Sequence, residues 1–270
     1  MQVKSWRLIP YFCAPGALQM AIDQWMLEQQ QFGHPPILRF YRWSSPAISL
    51  GYHQHRWPPH WETLTWQGVP IDLIRRPTGG RAVLHQGDLT YAIATSGLKG
   101  TRLQTYQQLC EFLIQGWRSL GIELDYGQAR RGDQHQANCF GTATRADLVL
   151  ADGTKLIGSA QLHRSGAILQ HGSMQLAPDP ALWEQVFGES PHPQHLRPYP
   201  QPLSHFWERG AKSKLGTLSK LIAAMVDAAR TCFDVEFQLQ PLSEAEWHTI
   251  KQVPLLKLDP QSVGRSPARL

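Results

Sequence analysis

Cysteine is scarce in this chain and poorly placed for cross-linking. Cys13, Cys110, Cys139 and Cys232 are scattered through 270 residues without a Cys-x-x-Cys pair. That argues against a disulfide framework and implies free thiols in a reducing cytosol. Long apolar runs are also missing: no stretch reaches the roughly 18 residues a membrane span needs. The start, "MQVKSWRLIPYFCAPG", lacks the apolar core and small-residue cleavage site of a signal peptide. A cytoplasmic protein with no membrane partner is the expectation. No dense Lys/Arg run and no nucleic-acid motif occurs, so nucleic acid is not an expected partner. Neither a Walker loop nor a dinucleotide fingerprint is present. There are 12 histidines, but His85 and His171, the two most suggestive, belong to no ligand spacing, and no protein-held metal is expected.

What is present suits a packed core. Hydrophobic residues make up 42% and charged residues 17%, with 10 Trp and 7 Tyr; aromatics on this scale fill cores and line grooves. The net charge of +5 is modest and favours an acidic partner through long-range steering. The length suits one catalytic-size domain over residues 1–258, followed by a frayed tail over 259–270.

The periodicity predicts a helix over 14–31, with Leu18, Ile22, Trp25 and Met26 at helical spacing. Strands are predicted over 35–43, 46–54 (with Gly51 inside) and 69–77, and over 81–95 continuing the same sheet. A single helix is predicted over 102–121, presenting Leu109, Phe112, Leu113 and Trp117 on one face. Residues 145–178 read as an antiparallel meander with turns at Asp152-Gly153 and Ser165-Gly166. A Pro- and His-rich loop over 188–205, a helix within 213–233 and a short strand at "DVEFQLQPL" complete the pattern. The strands run in antiparallel series without βαβ alternation. The predicted class is α+β, with a mixed, mainly antiparallel sheet flanked by helices.

Three stretches carry the chemistry. "RRPTGGRAVLHQGDLTYAIA" (75–94) places Arg75, Arg76, Thr78, Gly79, Gly80 and Arg81 on a tight turn between strand-like runs, with His85 beyond it. Glycines permit close backbone approach and arginines suit carboxylate, phosphate or carbonyl oxygens. The pattern fits both an anion-binding loop and a structural turn. "GTKLIGSAQLHRSGAILQHGSMQL" (153–176) opens a strand at Lys155, then runs through Gly158, Ser159 and Ala160, with His171 and Gly172 on the next strand. It fits a slot for an extended chain beside one ammonium, and it also fits a solvent-facing lysine beside a hairpin. "GQARRGDQHQANCFGTATRADL" (127–148) is polar and contains Cys139 downstream of Arg130, Arg131 and His135. Positive charge there could lower the thiol's pKa. The other three cysteines read as inert packing.

Together, over roughly residues 14–245, these stretches resemble the lipoate–protein ligase and octanoyltransferase family, related in fold to the biotin protein ligases. "GALQMAIDQWML" resembles the family's first helix and "YRWSSPAISLGYHQ" its Trp-x-x-Pro…Gly-x-x-Gln segment. "RRPTGGRAVLHQGDLTYAIA" resembles its Arg-Arg-x-[Ser/Thr]-Gly-Gly signature, and "KLIGSAQLHRSGAILQHGSMQL" its lysine strand and the strand after it. The resemblance implies a biotin/lipoate protein ligase-like domain with an acyl tunnel. The 75–80 turn would form one wall, its arginines serving a phosphate-bearing ligand or carrier, and Lys155 would bind the acyl carbonyl. "GGRAVLH", in place of the ligases' Gly-Gly-Gly-Ala-Val-Tyr-His, and Cys139 in "NCF" point to the cysteine-dependent octanoyltransferase branch. The implied donor is acyl carrier protein. The implied acceptor is the lysine of a lipoyl-domain protein, such as the glycine cleavage H protein or a 2-oxoacid dehydrogenase acyltransferase subunit.

That branch needs no cofactor and works by ping-pong transfer through a cysteine thioester. The alternative within the family is an ATP- and Mg2+-dependent lipoate–protein ligase acting through lipoyl-adenylate, for which Cys139 would be a bystander. An amidotransferase moving lipoyl groups between lipoyl domains and a non-catalytic lipoyl-domain or carrier-binding module are further alternatives. Biotin ligation is disfavoured, because no Gly-Arg-Gly-Arg loop is present.

Overall fold

Strand β1 (Lys4–Ala14), helix α1 (Gly16–Gln31) and strand β2 (Ile37–Trp43) open the chain as a βαβ unit, with β1 and β2 parallel. The sequence reading missed this unit, because it passed over the N-terminal strand "KSWRLIPYFCA". The computed structural model describes residues 4–127, 147–188, 214–256 and 258. Strands β3 (Ala47–Leu50), β4 (Thr65–Trp66), β5 (Val69–Pro70), β6 (Asp72–Arg75) and β7 (Val83–His85) follow. Next come β8 (Asp88–Ser96), α2 (Arg102–Gln108), α3 (Glu111–Ser119), β9 (Asp125–Tyr126), β10 (Leu148–Val149), β11 (Lys155–Arg164) and β12 (Ala167–Gln175). The described elements end with α4 (Pro180–Phe187), α5 (Lys214–Phe233), β13 (Val235–Leu239) and α6 (Glu244–Gln252).

An eight-stranded sheet runs β13-β1-β2-β8-β12-β11-β10-β9, and a three-stranded sheet runs β6-β3-β7. In the large sheet only the β13–β1 and β1–β2 pairs are parallel. The central strands β8 and β12 are buried along nearly all their length, which explains their run of apolar and small residues rather than a clean alternation. One face of the sheet carries α1, with Met20, Ile22, Trp25 and Met26 against Tyr41, Ala92 and Ala94. The other face carries α3 and α5, with Phe112, Leu113 and Trp117 against Leu221 and Met225.

The long helix expected over 102–121 is two helices, parted at Leu109 and Cys110. Both parting residues are fully buried, so packing, not the apolar periodicity, sets the break. The strand expected through Gly51 stops at Leu50. A Cβ on Gly51 would fall on the carbonyl oxygen of Gly80, so the glycine marks a close approach of two loops. Strands β7 and β8 belong to different sheets, although one continuous sheet was expected. The Gln86-Gly87 corner between them, with Gly87 at φ +69°, carries the chain from one sheet to the other. Helix α6 was also missed, despite its capping box from Ser243 and Glu246. Both expected meander turns are present, with Gly153, Ser165 and Gly166 all at positive φ. The expected loop over 188–205 and the tail over 259–270 lie, apart from Gly188, outside the described residues.

Candidate active site

A cleft of about 440 Å³, counted to its open mouth, lies between the small sheet and the α1 face of the large one. Small residues on neighbouring strands form its floor: Gly158 pairs with Ser173, and Ala160 pairs with His171. The sheet surface there is bare because these side chains are short. Met20, Tyr41 and Trp43 supply apolar wall. Of the residues singled out in the sequence, Arg76, Gly80, His85, Gly158, Ser159, Ala160, His171 and Gly172 line the cleft. Arg75, Thr78, Gly79, Arg81 and Lys155 are not part of its lining.

The arginines of the signature turn are largely committed to main chain. Arg75 Nη1 donates to the carbonyls of Gly51, Tyr52 and Gln54, at 2.9, 3.1 and 2.8 Å. Arg76 donates to the carbonyls of Ser49, Gly79 and Arg81, at 2.7, 2.8 and 2.7 Å. The resemblance implies a phosphate-bearing ligand for these side chains; these hydrogens go to β3 and to the loops that shape the cleft. Five planar donors on one guanidinium make such multi-carbonyl clamps possible. Gly80 sits at φ +97°, a conformation other residues resist.

Two buried chains of carboxylate, imidazole and hydroxyl meet this cleft. In the first, Asp23 Oδ2 lies 2.6 Å from His171 Nδ1, and His171 Nε2 lies 2.6 Å from Thr78 Oγ1. This chain bolts the signature turn to β12 and α1. Asp23 also accepts from Arg39 Nε and Nη2, at 3.0 and 2.6 Å, and from Tyr41 at 3.0 Å. In the second, Asp88 Oδ2 lies 2.9 Å from His85 Nδ1, and His85 Nε2 lies 2.8 Å from Ser49 Oγ. Asp88 Oδ2 further accepts from Ser173 at 2.6 Å and Thr90 at 3.1 Å. Trp43 stacks on the His85 ring at 3.8 Å.

Burial alone would raise both carboxyls. Arg39 and His171 outweigh it at Asp23, and His85, Ser173 and Thr90 outweigh it at Asp88, so both pKa values fall below normal. Burial depresses the His85 imidazole by more than Asp88 raises it, so its pKa lies below normal.

Lys155 is not the solvent-facing residue that a hairpin position allows. It is buried, and its Nζ lies 2.9 Å from Asp147 Oδ1. A register shift adjoins it. Leu148 pairs with Ile157, both in the core under α3, yet the next residue, Val149, pairs with Lys155. The extra residue, Leu156, joins the same core. This bulge breaks the regular alternation of the strand next to Lys155. Cys139 lies outside the described residues, which resume at Asp147.

Of the cysteines read as inert, Cys110 is fully buried and its thiol is pushed up to about 12 by burial. Cys232 is half-buried, and Cys13 is exposed on β1. Sequence reading missed Asp23, Ser49, Asp88 and Asp147. Asp23 had a visible signal: it is a lone acid within the apolar run "MAIDQWM". The others had none, because their partners are distant in sequence or lie across a sheet corner.

The lipoyl protein ligase A/B catalytic domain family matches residues 15–222. The octanoyltransferase LipM of Carboxydothermus hydrogenoformans is 37% identical over 66% of this chain and 67% of its own. That of Oceanobacillus iheyensis is 30% identical over 93% of both chains. Among solved structures, a lipoate-protein ligase A bound with ATP superposes with a TM-score of 0.70 at 21% identity, covering 92% of this chain and 93% of that one; at that identity the likeness speaks for the fold. With the family's boundaries enclosing residues 15–222, and with one relative aligned over 93% of both chains, this chain belongs to the lipoyl protein ligase A/B catalytic domain family.

Proposed function

We propose that this chain moves an octanoyl group from acyl carrier protein onto the lysine of a lipoyl domain, through a thioester on Cys139. Relatives at 30–38% identity carry the name octanoyltransferase LipM, and that likeness carries the reading. The cleft is compatible with it, having apolar walls and a floor of small residues for a saturated chain. In this reading Lys155 stabilises negative charge on the carbonyl oxygen. A fixed ammonium in a buried site does so more strongly than one in water. The donor thioester supplies the free energy, so no nucleotide is consumed. The basic balance of the chain, +5 overall, favours acidic carriers and lipoyl domains such as those of the glycine cleavage H protein or 2-oxoacid dehydrogenases. The setting is the cytoplasm. Among the described residues no helix is long and apolar enough to cross a membrane.

The test is intact-mass spectrometry of an apo lipoyl domain incubated with the chain. One arm contains octanoyl-acyl carrier protein without ATP, the other free octanoate with Mg-ATP. Acyl gain in the first arm alone is expected, with a matching adduct at Cys139 and loss of both in Cys139→Ala. Acyl gain confined to the second arm would instead identify a ligase.

A further inference from the structure

The two carboxylate–imidazole–hydroxyl chains look alike but differ in charge. Asp23 has the permanent cation Arg39 at 2.6 Å. Asp88 has none: among the described residues, its one ion-pair partner is His85. The charge facing Asp88 therefore depends on a proton, whereas the charge facing Asp23 is fixed. The bonding also sets the tautomer. A carboxylate only accepts, so Asp88 holds the proton on His85 Nδ1 and leaves Nε2 bare. Nε2 must then accept from the Ser49 hydroxyl, whose own oxygen receives Arg76 Nη1 at 3.2 Å. Ser49, His85 and Arg76 all line the cleft. The other groups around the ring are Thr90 and Ser173 on Asp88, Trp43 stacked on its face, His171, and Arg76, whose charge opposes its protonation.

We propose that Ser49, His85 and Asp88 form the proton path for attack by the acceptor lysine. The proposal rests on the octanoyl-transfer reading above. Attack of a neutral amine on a thioester forms a C–N bond, breaks the C–S bond and carries one proton from nitrogen to sulfur. Ser49 Oγ receives the amine proton as it passes its own to His85 Nε2. Asp88 balances the imidazolium. The proton returns by the same path to the departing thiolate, so the relay ends as it began. Ser49 is the group that meets the substrate; His85 acts through Ser49, and Asp88 through His85.

The test compares two acceptors in single-turnover reactions charged with octanoyl-acyl carrier protein: an apo lipoyl domain and hydroxylamine. Hydroxylamine is far less basic than lysine, loses its proton readily and has little need of the relay. In His85→Gln the rate to the lipoyl domain should fall about 10²-fold relative to the rate to hydroxylamine, a typical loss for a missing general base. Ser49→Ala, which removes one oxygen, should shift the ratio in the same direction if the His85 variant folds poorly. A ratio unchanged from wild type in both variants, whatever the absolute rates, overturns the relay and leaves octanoyl transfer intact. Wild-type protein that acylates neither acceptor overturns the transfer reading and the relay with it.

Discussion

Replacing Asp23 with alanine tests the scaffold of the cleft at its most heavily used atom pair. Both carboxyl oxygens are engaged. Oδ1 receives two guanidinium hydrogens from Arg39, and Oδ2 receives Tyr41 and His171. Asp23 and Arg39 are both wholly buried. Among the described residues, Asp23→Ala leaves the guanidinium hydrogen-bonded to the Gln19 side-chain and main-chain oxygens, at 2.9 and 2.8 Å, and lying over the Tyr41 ring at 3.9 Å. Removing one partner of a buried pair typically costs about 3–5 kcal/mol, because the surviving charge stays dehydrated. Urea unfolding should show that loss, and thermal unfolding a fall of roughly 6–20 °C. The double variant Asp23→Ala/Arg39→Met separates causes. If the cost is the stranded cation, the double variant should be more stable than Asp23→Ala alone. A single-variant loss below about 1 kcal/mol, or two losses that simply add, would refute the reasoning.

Gly51→Ala should lower both stability and transfer, since the new methyl meets the Gly80 carbonyl; overpacking costs about 1–3 kcal/mol, and wild-type activity in this variant would show that the loops part easily. Lys155→Met should reduce octanoyl transfer about 10²–10³-fold while also destabilising the fold, because buried Asp147 loses its ammonium partner; a rate equal to that of wild type would remove Lys155 from the reaction. The pH dependence of stability follows from the depressed groups. His85 lies below its ordinary 6.5, so the unfolded chain takes up that proton first and stability should decline as pH falls below about 6.5. Asp23, Asp88 and Glu246, the last bonded to Arg7, lie below their ordinary 3.8, 3.8 and 4.5. Their contribution is complete above those values and is lost as pH falls through them toward the folded-state pKa values, so the urea midpoint should drop more steeply below about 4.5. A midpoint that rises between pH 7 and pH 4 would contradict both signs.

Local order in the chain was enough to locate much of this protein. The helical spacing of α1, the turns at Asp152-Gly153 and Ser165-Gly166, and the glycine pair of the signature turn depend on neighbouring residues, and the structure places them where the pattern did. Those features, with the family resemblance, pointed to the cleft wall from one side and to its floor from the other. Tertiary structure alone decided what the polar residues do. In sequence Arg75 and Arg76 fit both a ligand-binding loop and a structural turn, and only the fold shows that Arg75 holds the Gly51 carbonyl and Arg76 the Ser49 carbonyl. By sequence Lys155 was free to face solvent; the fold buries it beside Asp147. His171 meets Thr78 across 93 residues and Asp23 across 148, and no local pattern encodes such pairings. Periodicity reports which face of an element is apolar. The partner of a buried charge is set by which elements pack together, and that information resides in the whole chain at once.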